Sequence, residues 1–375
     1  MGSDPNADTG TPTMTSDFST LQQMVKQARE KLPRGDWDYL VGGADTETSL
    51  KRNRLAFDRL ALKARVMNDV SRVQLRRDLL GVDQRIPVLL APIGSLQVFD
   101  AGGGLSAGLA AGEFGIFQIL SSVCQPDFET LARESAHAKI YQLYAHGDEA
   151  WVMDIIGRAQ NAGYRAFCLT VDTQVYSRRE RDLLKGYLPL ASRRPGFMPG
   201  QPREATLQAS LSWDLVKRIK DRFSIPLMLK GIACAEDADL AVSHGVDIVY
   251  VSNHGGRQLD QGRGTLDMLP EVVRAVGGRA KVLFDGGILR GTDVLKALAL
   301  GADAVGIGRL EGLAMAAGGT AAVVRMLELL EIEMGANLAL MGLSSIDQLH
   351  PACVLPAEPV VSPHVLSGFP LLDDY

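Results

Sequence analysis

Cysteine is scarce in this chain, and the four present, Cys124, Cys168, Cys234 and Cys353, lie far apart. None falls in a CxxC or Cys/His spacing, which argues against a zinc module or a disulfide framework and leaves reduced core or surface thiols. A basic stripe is also lacking. The 39 Lys and Arg residues are interspersed with 44 Asp and Glu for a formal charge of -5, so nothing is arranged to neutralise a phosphate backbone and nucleic acid is not an expected partner. Residues 1–16 hold no apolar core of a secretory signal and read as a disordered terminus or a cloning remnant. No apolar run approaches the roughly 18 residues that span a bilayer. A cytoplasmic protein without membrane attachment is expected.

What is abundant is a repeated β/α alternation. From residue 86 onward a short apolar run, a polar or Gly-rich turn and a helical pattern follow one another. The expected strands are Val88–Ala91, Ile116–Ser121, Ile140–Leu143, Ala166–Val171, Leu227–Lys230, Ile248–Ser252, Val282–Asp285 and Ala304–Ile307. Eight such units predict an α/β fold, a closed (β/α)₈ TIM barrel formed by residues 17–350. Residues 17–45 read as one or two cap helices, residues 180–212 as a long lid loop after strand 4, and Val323–Met334 as a helix. With five prolines from Pro351 to Pro370, residues 351–375 read as an extended tail.

Polar residues terminate many of these runs: Gln142, Thr170, Asp172, Lys230, Ser252, Asp285 and Arg309. In a barrel those ends share the C-terminal face, where active sites are assembled. Asp285-Gly286-Gly287 and Gly306-Ile307-Gly308-Arg309 have the glycines that let backbone N–H groups approach a phosphate, although tight βα turns alone would also need them. The string Gly102-Gly103-Gly104-Leu105-Ser106-Ala107 matches a dinucleotide fingerprint but follows no convincing strand, and reads better as a Gly-rich lead into a helix. Of six histidines, His254 alone stands directly after a strand, Ile248-Val249-Tyr250-Val251, and so at the barrel mouth. Its imidazole suits proton transfer near neutrality, Asp172 is available to orient its second nitrogen, and Arg257 offers a fork for a carboxylate. On physics alone, His254 as a turn residue and Arg257 as a solvated one stay open.

The string Ser252-Asn253-His254-Gly255-Gly256-Arg257-Gln258-Leu259-Asp260 resembles the signature of the FMN-dependent 2-hydroxy-acid oxidases and dehydrogenases, the group of glycolate oxidase, lactate oxidase, mandelate dehydrogenase and flavocytochrome b2. The likeness runs from about residue 20 to about residue 350, through Asp38-Tyr39, Ala91-Pro92, Ser121-Ser122, Phe167 to Thr173, Arg178-Arg179-Glu180, Leu229-Lys230-Gly231 and Arg290-Gly291-Thr292-Asp293. The resemblance implies an enzyme that oxidises an (S)-2-hydroxy acid to a 2-oxo acid, with oxygen or another acceptor reoxidising the flavin, and a homo-oligomer, a tetramer. It also implies residue roles. His254 is the base and Asp172 its partner, Lys230 sits beside the flavin, and Arg179, Arg257, Tyr39 and Tyr144 bind substrate. The cofactor falls to Pro92, Ile93, Gly94, Ser121, Gln142, Thr170, Ser252, Asp285, Gly286, Gly287, Gly308 and Arg309.

Three residues depart from the family pattern. Val123 stands where an aromatic is frequent, which implies a smaller, less polar wall and room for a bulkier substrate. Gly94 stands where oxidases often have alanine, which changes the space at the reactive face and leaves the acceptor open. Leu289 replaces an arginine common beside the phosphate, with Arg309 remaining and Arg290 reaching in part. Two other readings follow: a flavin barrel tailoring a larger substrate, and a non-redox binding barrel.

Overall fold

In the computed structural model, which describes residues 18–187 and 207–372, the chain enters through three cap helices. Helix α1 (Leu21–Lys31) begins at a capping box in which the Thr20 hydroxyl accepts the Gln23 N–H and the Gln23 side chain accepts the Thr20 N–H. Leu21, Met24, Val25 and Ala28 recur at the 3–4 residue spacing of one helix face and are buried. Helices α2 (Arg34–Val41) and α3 (Thr48–Asp58) follow, within and just beyond the segment where one or two helices are expected.

Eight parallel strands close into a barrel: β1 (Val88–Leu90), β2 (Gln118–Ser121), β3 (Lys139–Leu143), β4 (Ala166–Thr170), β5 (Leu227–Ile232), β6 (Ile248–Val251), β7 (Lys281–Phe284) and β8 (Ala304–Ile307). Each coincides with an expected strand to within two residues. Their apolar residues split by parity, as the two-residue period of a strand requires. Leu89, Ile119, Ile140, Cys168, Met228, Ile248, Tyr250, Leu283 and Ala304 form one buried cluster inside the barrel. Their neighbours Leu90, Leu120, Tyr141, Leu169, Leu229, Val249, Phe284 and Val305 belong to a second, shared with the surrounding helices. Each fully buried Leu, Ile or Phe contributes about 1.5–3 kcal/mol of apolar transfer, which is why a strand buried on both sides reads as an uninterrupted apolar run.

The surrounding helices are α4 (Gly103–Phe114), α5 (Phe128–Glu134), α6 (Glu149–Asn161), α7 (Glu180–Leu184), α8 (Trp213–Arg222), α9 (Ala235–Ser243), α10 (Thr265–Val276), α11 (Gly291–Ala299) and α12 (Arg309–Leu340). The Gly102–Gly104 run leads into α4, as a helix lead-in would. Residues 188–206, most of the expected lid, lie outside the described residues, as do residues 1–17. The helix expected at Val323–Met334 begins much earlier and is interrupted at Gly318 and Gly319. By length and composition α12 also reaches what a bilayer span needs, against the expectation drawn from apolar runs, but 67% of its most apolar stretch is buried inside the protein.

Two small sheets were not anticipated. Arg77–Leu79 and Val82–Gln84 pair through a turn at Leu80 and Gly81, both with positive φ, the conformation a two-residue hairpin turn favours. Leu79 from this hairpin joins the cluster inside the barrel, and the Gln84 side chain accepts the Phe117 N–H. The tail is not simply extended: Pro351–Cys353 forms a helical turn, and Val354–Pro356 pairs antiparallel with Leu60–Leu62.

Candidate active site

The turn after β6 sets the geometry of the site. His254, Gly255 and Gly256 all have positive φ, at 57°, 65° and 74°. Glycine is required at 256, where a Cβ would lie 2.5 Å from the Leu50 nitrogen, and favoured at 255, where φ is positive and a Cβ would lie 2.7 Å from the end of the Arg309 side chain. Asn253 holds the turn by accepting the Gly256 N–H at 3.0 Å, and its amide exchanges two hydrogen bonds with Asn53 on α3. This coil turns the His254 imidazole into a cavity of about 340 Å³ at the C-terminal end of the barrel.

His254 Nδ1 is 3.0 Å from Asp172 Oδ1, and Nε2 is 3.4 Å from the Tyr144 hydroxyl. Burial chiefly lowers the pKa of His254 below the usual imidazole value, with Asp172 opposing and Lys230 adding to the fall. For Asp172, burial pushes upward, but the charge and hydrogen bond of His254 and the charge of Lys230 prevail and hold the carboxyl below its ordinary range. An ionised Asp172 fixes the proton on Nδ1 and leaves the Nε2 lone pair toward the cavity. Gly231, at φ 116°, is what lets β5 pass this close: a Cβ there would stand 2.7 Å from the Cβ of Asp172.

Lys230 is almost fully buried, 3.0 Å from the Ser252 hydroxyl and 3.5 Å from the Asp285 carboxylate. Burial opposes its charge, yet Asp285 and Asp172 raise its pKa above the ordinary lysine value. Asp285 also accepts from Ser252 at 2.5 Å, so its carboxylate is committed to Lys230 and Ser252. A phosphate at this end of the cavity would meet the glycines and Arg309 instead.

Three guanidinium groups, Arg179, Arg257 and Arg309, converge on the cavity, with Asp182 near the first two and Glu47 and Asp285 near the third, and none is in an ion pair among the described residues. Arg257 donates to the Tyr39 and Gly42 carbonyls at 2.7 and 3.0 Å, and Arg309 to those of Gly255 and Gly42 at 2.8 and 2.7 Å. Arg179 lies 4.6 Å from the Tyr176 ring centroid, and its Nε has no hydrogen-bond partner among the described residues. Burial first, then the neighbouring Arg257, pushes Arg309 down to about 9; burial and Arg179 likewise lower Arg257. Such crowding is relieved by bound anions.

Tyr39, Pro92, Ile93, Gly94, Tyr144, Arg179, Lys230, His254, Arg257, Asp285, Gly286, Gly287, Gly308 and Arg309 all line this one cavity. Ser121, Gln142, Thr170, Asp172 and Ser252 stand at or just beyond the C-terminal ends of the strands that open onto it. Gln142 donates to Thr170 at 2.8 Å, and its buried Oε1 has no partner among the described residues. Gly286 and Gly287 have φ of 106° and 95°, and Gly308 precedes α12, whose N-terminus opens beside Arg309.

The departures have local explanations. Val123 Cγ2 stands 2.7 Å from where a Cβ on Gly94 would be, so the methyl lost at 94 is replaced by the isopropyl group of Val123. Arg290 does not reach toward the glycines: it pairs with Glu333 at 2.6 Å and lies over the Phe369 ring. Residues missed from sequence include Asn53, Phe99, Tyr176 and Gln258, which line the cavity, and Gln208, which ties Ala145, Thr170 and Thr173 together behind it. Gln258 lay inside the recognised string, next to Arg257. Asn53 carried no signal, because its partner Asn253 is distant in sequence.

Among the described residues, no group of His, Cys, Asp and Glu could hold a metal ion. A sequence profile described as FMN-dependent dehydrogenase matches residues 28–356. The chain is 38% identical over 354 residues to an L-lactate oxidase of Nostoc sp., covering 88% of this chain and 96% of that protein. It is 38% identical over 342 residues to a peroxisomal (S)-2-hydroxy-acid oxidase of Oryza sativa subsp. japonica, covering 88% and 93%. Among solved structures, a mandelate oxidase crystallised with (S)-2-phenylpropionate superimposes with a TM-score of 0.83 at 34% identity, covering 92% of this chain and all of the other.

Proposed function

Since the chain belongs to the FMN-dependent dehydrogenase family, we propose that it uses FMN to oxidise an (S)-2-hydroxy acid to the 2-oxo acid in the cavity at the mouth of the barrel. The observation that carries this reading is the His254–Asp172 pair at 3.0 Å, facing a cavity that also holds Arg179 and Arg257. The relatives named as 2-hydroxy-acid oxidases favour it over a tailoring or non-redox role.

The residues present fit FMN. The unpartnered Gln142 Oε1, the Gly286-Gly287 turn, the N-terminus of α12 at Gly308 and the crowded Arg309 are what an amide-bearing ring and a phosphate would satisfy. Pro92, Ile93, Gly94, Ser121, Thr170 and Ser252 complete the set we assign to it. When bound, FMN supplies the two-electron acceptor, reoxidised by oxygen or another acceptor; the oxidase relatives favour oxygen.

In this reading Arg179 and Arg257 clamp the substrate carboxylate, and Tyr39 and Tyr144 hydrogen-bond the acid and its hydroxyl. His254 Nε2 accepts a proton while Asp172 stabilises the imidazolium that forms. Lys230, whose charge Asp285 and Asp172 favour, presents a positive group to the cavity. The test is anaerobic mixing of the purified protein with a panel of (S)-2-hydroxy acids, from glycolate to mandelate and longer aliphatic chains, following the oxidised flavin band. Bleaching by at least one identifies the substrate; a full panel without bleaching overturns the reading.

We also place the protein in the cytoplasm as a homo-oligomer, a tetramer. Four unpaired cysteines support a reducing compartment. Exposed Val66 and Met67, in a loop bonded to Gly342 near exposed Leu340, support burial against another copy.

A further inference from the structure

Residues 362–372 fold back onto the β7 end of the cavity. Val365 lines the cavity itself, as do Ile288 and Leu289. Three anchors hold the segment. Phe369 is buried at 2% exposure, with the Arg290 guanidinium 5.9 Å from its ring centroid. The buried Ser367 hydroxyl accepts from Arg54 Nε at 3.4 Å and reaches Asp58 at 3.4 Å. The Leu371 N–H donates to the Gln22 side chain of α1 at 2.8 Å.

These anchors share parts with the glycine turn. Arg54 donates to the Gly287 carbonyl and pairs at 2.8 Å with Asp293, whose carboxylate accepts the Leu289 and Arg290 N–H groups. Arg54 thus links the tail and the glycine turn by hydrogen bonds and the start of α11 by its ion pair with Asp293, while also pairing with Asp58. Leu289 is itself the seat of the tail: a Cβ on Gly368 would lie 3.0 Å from its Cδ1 and 3.1 Å from its Cβ. A guanidinium in place of that isobutyl group could not pack against Gly368 without losing its hydration or its anion.

We propose that the C-terminal segment is a wall of the cofactor site, closing the phosphate end of bound FMN over the apolar seat made by Leu289. The proposal rests on the assignment of FMN above. Enclosure by Val365, Leu289 and the anchored tail then retains the cofactor where a further arginine would retain it by charge. A chain terminus opens locally at lower free energy than a barrel does, so tail opening sets the rate of cofactor loss.

The test compares the full-length holoprotein with a chain ending at Val361 and with Phe369→Ala. Each is diluted into flavin-free buffer, and released flavin is measured in ultrafiltrates by absorbance, with far-UV circular dichroism as the folding control. Flavin release should be faster by about ten-fold or more in both variants, a factor that corresponds to a modest change in binding free energy. Adding Leu289→Arg to the shortened chain should slow it again. Release at the full-length rate from the folded variants overturns the proposal while leaving the functional reading intact. If the shortened chain does not fold, Phe369→Ala decides alone. A full-length protein that takes up no added FMN overturns both.

Discussion

Val123 occupies the volume that a side chain on Gly94 would need, with its Cγ2 2.7 Å from the position of the missing Cβ. The loops carrying them are also joined by a hydrogen bond from Ser95 N to Val123 O at 3.1 Å. Sequence treats the two as separate departures; in the folded chain each accommodates the other. Gly94→Ala should therefore lower kcat/KM by about ten-fold, the scale of an overpacked site. Val123→Ala in the same chain should restore much of it. Steady-state kinetics over the four-member cycle checks this, and additive effects would show that the residues do not couple.

The two substrate arginines should behave differently. Arg257 also holds the Tyr39 and Gly42 carbonyls, whereas the Nε of Arg179 has no partner among the described residues. Arg179→Leu is expected to raise KM by about 10- to 100-fold, the worth of a charged hydrogen bond, with little change in melting temperature. Arg257→Leu should raise KM and also lower the melting temperature, because the Tyr39 carbonyl of the cap loses its donor. Calorimetry beside substrate titration separates the two.

Because the neutral imidazole is the active form and burial lowers the pKa of His254, activity should rise with pH along an acid limb centred below the ordinary histidine value and then stay flat. Asp172 opposes that lowering. Asp172→Asn should therefore move the limb further to acid while reducing the plateau by about 10²- to 10⁴-fold, through loss of imidazolium stabilisation. A kcat/KM profile from pH 4 to 9 measures both. A limb shifted to higher pH would contradict the assignment.

Lys230 and Asp285 are both buried and 3.5 Å apart. Removing one charge strands the other, so Lys230→Met should destabilise the flavin-free protein by about 3–5 kcal/mol. Lys230→Met with Asp285→Asn should be less damaging than Lys230→Met alone. Urea unfolding of the three chains makes the comparison.

The barrel was legible because a strand buried on both faces has to be apolar throughout, as Ile248-Val249-Tyr250-Val251 is. Strand ends were legible because glycines and charged residues mark them. The hairpin at Arg77–Gln84 was not, since its three-residue strands carry Arg77, Asp78 and Asp83 and contribute mainly Leu79 to the core. Within the site, the strand ends already offered His254, Asp172 and Lys230, the resemblance gave them roles, and the turn after β6 explains how His254 reaches the cavity. Asn53 and Val365 were invisible for a shared reason: one sits on a cap helix and the other in a proline-rich tail, and only the fold brings them to the cavity. The contact between Gly94 and Val123 was invisible for the same reason, because it is tertiary.

The role of His254 is decided by anaerobic reduction of flavin in His254→Ala by the substrate found in the panel, measured by stopped flow. The variant is expected to keep its FMN and to be reduced more slowly by about 10²- to 10⁴-fold, the usual contribution of a positioned base. Reduction as fast as in the parent protein would contradict His254 as the base.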